Sequence, residues 1–168
     1  MPEDSTLLVE IENIYRDRGA DFFRLALAKT GDPEAARDAV QDGFAQALRG
    51  RRSFRGSGSL EAWVARCVIN AAHYVRRGAS RTAELDELPT TDFGNSENAA
   101  VRNADAAIVR QAVRRLPERQ RDALYLRFYL GFEYAAMAEA LDIEVGTVSA
   151  TLHAARASLA QDLQEVLR

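Results

Sequence analysis

The chain has 168 residues, of which 47% are hydrophobic and 28% charged, and its formal net charge is −3. This length suits one or two small domains, and the apolar content is too high for a chain that stays unfolded. No run of about 18 apolar residues is present and the first residues are acidic, so we expect a soluble cytoplasmic protein without membrane insertion or a secretion signal. The single Cys67 excludes an internal disulfide.

Charge is distributed unevenly along the chain. The first fifty residues carry ten acidic side chains, whereas residues 51–81 carry seven arginines and a single acid, Glu61. The basic segment is suited to phosphate groups, and the acidic segment is suited to a basic partner.

The first fifty residues have helical periodicity. An apolar face predicts one long helix or a broken pair, and it comprises Ile11, Ile14, Tyr15, Phe22, Leu25 and Ala26. A second helix is predicted after Asp32, a favourable N-cap, with Pro33 at its first position. Its apolar stripe consists of Ala36, Val40, Phe44 and Leu48, and its opposite side carries Asp38, Gln41 and Asp42.

The segment SFRGSGS, residues 53–59, predicts a flexible loop that carries an aromatic ring and a guanidinium group. A helix follows Ser59, and its predicted buried face contains Leu60, Trp63, Val64, Cys67, Val68, Ala71 and Val75. We assign Trp63 to the core because it lies on this stripe. A second, polar stripe of the same helix is expected to face an aqueous environment, and it consists of Arg66, Asn70, His73 and Arg77.

Residues 79–103 lose this periodicity, contain Pro89 and Gly94, and predict a flexible linker. Helical spacing returns from Ala104 to Leu116, and no alternating strand pattern is found. The chain is therefore predicted to be all-α, with a domain over residues 1–78, a linker over 79–103 and a second domain over 104–168.

The second domain contains a predicted helix-turn-helix. A short helix, FEYAAMAEAL, is followed by the turn DIEV and the helix GTVSATLHAARASL. Ala135, Met137, Ala138 and Leu141 are predicted to point inward in the first helix, and Val148, Leu152, Ala155 and Leu159 in the second. Asp142 falls at the turn, where a positive φ is expected and Asp is tolerated better than most residues. The outward residues of the second helix are Thr147, Ser149, Ala150, Thr151, His153 and Arg156.

Together these stretches resemble an extracytoplasmic-function sigma factor of the sigma-70 family. DPEAARDAVQDGFAQAL resembles region 2.2 of that family, RSFRGSGSLEAWVARCVINAAHYVRR resembles regions 2.3 and 2.4, and the stretch from Leu116 to Leu159 resembles region 4. The resemblance implies that the first domain binds the clamp helices of core RNA polymerase and opens the −10 promoter element, while the second binds the −35 element. It also implies an anti-sigma factor as a partner.

The resemblance assigns roles to particular residues. Polymerase contacts are implied for Asp38, Gln41, Asp42 and Phe44. Contacts with the −10 DNA are implied for Ser53, Phe54, Arg55, Ser57, Arg66, Asn70, His73, Arg76 and Arg77. Contacts with the −35 DNA are implied for Arg119, Thr147, Ser149, Thr151, His153 and Arg156.

The recognition helix departs from the family pattern. Family members often have GTVKSRLHRAR, whereas this chain has GTVSATLHAAR and retains only His153 and Arg156 as basic or titratable groups there. Fewer phosphate contacts imply weaker −35 binding.

We also expect the free protein to be autoinhibited or held by a partner, because its net charge is low and a flexible linker lets the domains fold together.

Two other functions are compatible with parts of the sequence. A stand-alone helix-turn-helix regulator would use residues 104–168 only, and a polymerase-binding module without promoter specificity would fit the depleted recognition helix. We find no phosphate loop, paired metal ligands or Cys/His pair close in sequence, so neither an enzymatic activity nor a cofactor is expected.

Overall fold

The structure, a computed structural model, describes residues 4–79 and 99–166. All regular structure in these two ranges is helical, which confirms the all-α prediction. The side chain of Arg77 and residues 80–98 of the predicted linker lie outside the described residues. The helices are α1 (Asp4–Thr30), α2 (Pro33–Gly50), α3 (Leu60–Ala79), α4 (Ala99–Arg115), α5 (Glu118–Phe128), α6 (Tyr134–Leu141) and α7 (Val145–Val166), with a 3₁₀ turn at Arg51–Ser53.

The first three helices form one bundle. α1 is a single unbroken helix, and its Phe22 and Leu25 are completely buried against α2 and α3. The predicted cap at the start of α2 is confirmed, since a carboxylate oxygen of Asp32 accepts a hydrogen bond from the Ala35 amide at 2.7 Å. α2 and α3 approach very closely at Gly43, where a Cβ atom would lie 2.6 Å from the Cα of Val68. Glycine is therefore required at this crossing.

Helices α4–α7 form the second bundle, with the predicted helix-turn-helix in α6 and α7. Met137, Val148 and Leu152 are buried between these helices, as their spacing predicts. Asp142 ends α6 in the left-handed conformation, with φ 56° and ψ 50°, which confirms the expected positive φ. Ala135 was predicted to point inward but is exposed, because Ala136 and Ala140 supply the contacts of that face instead.

The limits of the predicted linker also need correction. Helix α3 extends to Ala79, and α4 begins at Ala99 rather than at 104. Ala99 and Ala100 have the highest helix propensity of any residue type, so the helix starts before its apolar spacing becomes visible.

The two bundles are packed against each other, and we call this the closed arrangement. α3 of the first bundle packs on α6 of the second. On α1, the Lys29 side chain reaches α5, where its Nζ lies 2.6 Å from the Asp122 carboxylate. Arg18 donates a hydrogen bond to the Leu130 carbonyl oxygen at 2.7 Å and pairs with Glu61 on α3. The surface of α3 with the predicted polar stripe therefore lies against the second bundle.

Candidate nucleic-acid interface

The glycine- and serine-rich segment forms an ordered loop between the 3₁₀ turn and α3. The Phe54 amide donates to the Arg51 carbonyl oxygen at 3.0 Å, and the Ser53 hydroxyl donates to the Gly50 carbonyl oxygen at 2.7 Å. Gly56 has φ 70°, a conformation that other residues rarely adopt. These features hold the half-buried Phe54 ring against Trp63, with ring centroids 5.7 Å apart and planes inclined by 47°.

A cavity of about 310 Å³, which we call the loop cavity, lies beside this aromatic pair. Trp63 belongs to its wall, and the half-buried side chain also packs against the core of the first bundle, as its place on the apolar stripe predicts. The complete lining is Ser53, Phe54, Arg55, Ser57, Gly58, Trp63, Arg66, Glu139 and Asp142.

The polar stripe of α3 continues from this loop along the interface between the bundles. Arg66, Asn70 and Arg76 are exposed, and His73 is half-buried. A larger cavity of about 460 Å³ separates this stripe from the second bundle. It is lined by Lys29, Arg66, Ile69, Asn70, His73, Glu118, Arg119, Asp122, Ala140, Leu141 and Asp142. The predicted DNA-contacting residues Arg66, Asn70 and His73 thus share one surface with the predicted −35 residue Arg119.

Acidic side chains of α5 neutralise part of this surface. Glu118 accepts a hydrogen bond from Nδ1 of His73 at 2.8 Å and from Lys29 at 3.2 Å. Burial raises the pKa of Glu118, but the hydrogen bond with His73 and the Lys29 charge outweigh this and lower the pKa to about 2. Asp122 is buried, and burial raises its pKa despite the neighbouring Lys29 ammonium. Sequence reasoning identified none of Lys29, Glu118 and Asp122 as functional.

The acidic face of α2 lies on a separate, open surface. Asp38, Gln41 and Asp42 are all exposed there. The resemblance implied that Phe44 contacts the polymerase, but its side chain is buried, with only 5% of the residue exposed. Its ring packs edge-on against Tyr15 and Phe22, with centroid distances of 5.0 and 5.2 Å, so it belongs to the core of the first bundle.

The outward face of α7 is polar and nearly uncharged. Thr147, Ser149, His153 and Arg156 are exposed, and Thr151 is half-exposed with its hydroxyl donating to the Thr147 carbonyl oxygen at 2.7 Å. Such a face offers hydrogen bonds to base edges but few charges to phosphates.

Two further properties concern metals and membranes. Within residues 4–79 and 99–166, no group of three or more His, Cys, Asp or Glu side chains is arranged to hold a metal ion. In the same ranges, none of the helices has the length and apolar character needed to span a membrane.

Each bundle matches a known family model. The Sigma-70 region 2 family model matches residues 14–82, and the Sigma-70, region 4 model matches residues 106–159. Among curated proteins, the RNA polymerase sigma-H factor of Pseudomonas aeruginosa is 34% identical over 149 residues, which cover 82% of this chain and 77% of that protein. The ECF RNA polymerase sigma factor SigM of Mycobacterium tuberculosis is 34% identical over 153 residues, covering 89% and 75%.

Two solved structures share the fold. The sigma factor RpoE in complex with the anti-sigma factor NepR from Bartonella quintana superposes with a TM-score of 0.70 at 21% identity, covering 91% of this chain and 95% of that one. CnrH in complex with the cytosolic domain of CnrY gives a TM-score of 0.70 at 19% identity, covering 96% and 92%.

Proposed function

The chain belongs to the sigma-70 family as an extracytoplasmic-function member, and from this premise we propose how its two bundles divide the work of transcription initiation. As an RNA polymerase sigma factor, it recognises promoters and starts transcription with core RNA polymerase. We assign core binding and the −10 element to the first bundle and the −35 element to the second. The observation that carries this proposal is the pair of family matches, region 2 followed by region 4, on one chain.

Core polymerase is proposed to bind the exposed acidic face of α2. Asp38 and Asp42 lie one helical turn apart, so a basic helix of the polymerase can pair with both carboxylates. Gln41, which is exposed between them, would contribute an amide hydrogen bond. Phe44 is proposed to support this face from the core and not to touch the polymerase.

Promoter opening is proposed to use the loop cavity. An unstacked base needs an aromatic surface before the duplex closes again, and Phe54 and Trp63 provide two rings beside one cavity. Base stacking of this kind contributes about 1–3 kcal/mol. Arg55 and Arg66 place positive charge at the same cavity for the adjoining phosphates, and Arg76 extends that charge along α3.

The −35 element is proposed to be read by the outward face of α7. Its hydroxyls, with His153 and Arg156, can reach base edges in a major groove. Because only one permanent positive charge, Arg156, lies among these residues, we expect a shallow dependence of −35 binding on salt concentration.

An anti-sigma factor is also proposed as a partner. One structural neighbour, the sigma factor RpoE, was solved in complex with the anti-sigma factor NepR, and the other, CnrH, was solved in complex with the cytosolic domain of CnrY. An anti-sigma factor of this chain would compete with core polymerase for the protein.

The deciding experiment is a titration against purified core RNA polymerase followed by run-off transcription from the DNA upstream of the protein's own gene and from a pool of genomic fragments. Tight binding with a discrete transcript supports the proposal. Binding without a transcript from any template would favour a polymerase-binding module without promoter specificity. No binding to core polymerase would contradict the proposal and favour a stand-alone DNA-binding regulator.

A further inference from the structure

The interface between the bundles pairs basic side chains of the first with acidic side chains of the second. Lys29 contacts both Glu118 and Asp122, and His73 contacts Glu118. Further along α3, Nη1 of Arg66 lies 3.4 Å from the Asp142 carboxylate. The surface proposed to bind promoter DNA therefore faces acidic side chains of its own chain.

Glu139 makes the most specific of these contacts. One of its carboxylate oxygens accepts a hydrogen bond from the Ser59 amide at 2.8 Å, at the start of α3. The carboxylate sits directly over Gly58, where a Cβ atom would come within 2.5 Å of its oxygens. The absence of a side chain at Gly58 thus leaves room for the Glu139 carboxylate, and both residues line the loop cavity.

The contacts described for the Glu139 side chain do not contribute to packing within the second bundle. Glu139 lies on the exposed face of α6, whereas Met137, Ala138 and Ala140 are buried. Both contacts described for Glu139, with Ser59 and with Gly58, join it to the loop of the first bundle. Asp142, next to it at the loop cavity, pairs in the same way with Arg66.

A carboxylate and a phosphate diester are both anionic hydrogen-bond acceptors, and both are attracted to amide N–H groups and guanidinium groups. We propose that Glu139 and Asp142 act as an internal substitute for the promoter backbone, closing one side of the loop cavity with negative charge in the closed arrangement and so excluding single-stranded DNA from it. The bundles must separate before the loop can take a DNA strand. This inference rests on the proposed role of the loop, and it adds the regulation of that same site.

The variants that test this inference remove charge with little change of shape. Glu139→Gln with Asp142→Asn removes both negative charges, and Asn retains a tolerance for the left-handed conformation of the turn. The matched control is Glu133→Gln with Glu144→Gln, which removes the same total charge close by. Glu133 pairs with Arg127 of its own bundle, and both control residues are exposed.

Two measurements on the full chain report the outcome without polymerase. The first is the rate at which an amine-reactive reagent modifies Lys29, the only lysine of the chain, followed by peptide mass spectrometry. The Lys29 side chain is 3% exposed in the closed arrangement, so its reactivity reports separation of the bundles. The second is fluorescence anisotropy with a fluorescein-labelled, mixed-sequence 20-nucleotide single strand.

We expect the Glu139/Asp142 variant to label faster at Lys29 and to bind the single strand about tenfold more tightly, because a larger share of molecules is competent to bind. The control variant should stay within about twofold of the wild type in both measurements, which excludes a general effect of net charge. Equal labelling and affinity in all three proteins would overturn the inference. Faster labelling without tighter DNA binding would overturn it too, since separation would then not uncover the site.

Failure of this inference can be distinguished from failure of the proposed function, because the two are tested by different measurements. If no variant yields a transcript with core polymerase, the assignment as a promoter-specific initiator fails. The labelling and strand-binding results would still decide whether Glu139 and Asp142 keep single-stranded DNA out of the loop cavity.

Discussion

Replacement of Lys29 by methionine removes the one ammonium group at the centre of the interface between the bundles. The Nζ atom lies 2.6 Å from an Asp122 oxygen and 3.2 Å from a Glu118 oxygen. Methionine keeps most of the aliphatic stem of lysine, so packing around the stem on α1 should be largely preserved. The change therefore isolates the effect of the charge.

The free-energy cost of this substitution follows from the burial of the Lys29–Asp122 ion pair. The side chain of Asp122 is 9% exposed, and in the variant it would be buried without the ammonium group that offsets its desolvation, so it must either stay charged and unpaired or take up a proton. Leaving one member of a buried ion pair unpartnered costs about 3–5 kcal/mol. The exposed pair of Arg66 with Asp142 contributes at most about 1 kcal/mol toward keeping the bundles together. Separation of the bundles returns Asp122 to water, so we expect the variant to open before it unfolds.

Small-angle X-ray scattering with far-ultraviolet circular dichroism tests this expectation. The Lys29→Met variant should show a larger radius of gyration than the wild type at the same helical content. Adding Asp122→Leu should recover the compact form, because no unpartnered charge is then buried. Arg49→Met is the control, since Arg49 is an exposed cation of α2.

Two results would refute the reasoning. An unchanged radius of gyration in the Lys29→Met variant would mean that the ion pair does not hold the bundles together. A loss of helical content without prior opening would mean that Lys29 stabilises the first bundle itself.

Three further predictions concern the two proposed sites and the core. Phe54→Ala should leave core polymerase affinity unchanged but reduce permanganate reactivity of promoter thymines about tenfold or more, whereas Phe54→Tyr should retain it; equal reactivity of the alanine variant would contradict a stacking role. Reversal of Asp38 and Asp42 to arginine should weaken core binding at least about tenfold in a fluorescence titration, and unchanged affinity would remove them from the interface. Gly43→Ala should lower the free energy of unfolding by about 1–3 kcal/mol, while Gly19→Ala, where a Cβ meets nothing within 4 Å, should not destabilise α1.

Features fixed by neighbouring residues could be predicted from the sequence. The start of α2 follows from Asp32 and Pro33, whose cap and restricted φ need no distant partner. The turn of the helix-turn-helix follows in the same way, since Asp142 tolerates the positive φ that the turn requires. The polar face of α7 follows from the spacing of Val148 and Leu152 on the opposite side.

Contacts between the bundles could not be predicted from the sequence. Lys29 and Asp122 are 93 positions apart, and Ser59 and Glu139 are 80 apart, so no periodic pattern relates them. One signal was nonetheless present, because Lys29 continues the apolar stripe of Phe22 and Ala26 on α1. A charge on a buried stripe indicates a buried partner.

Asp142 is a position where two structural requirements conflict. Glycine there would relieve the unfavourable left-handed backbone of the turn and make the second bundle more stable. The same substitution would delete the carboxylate that pairs with Arg66, so the protein would lose restraint as it gained stability. If the proposed role of Asp142 holds, aspartate at this position trades some stability of the second bundle for tighter closure over the DNA-binding loop.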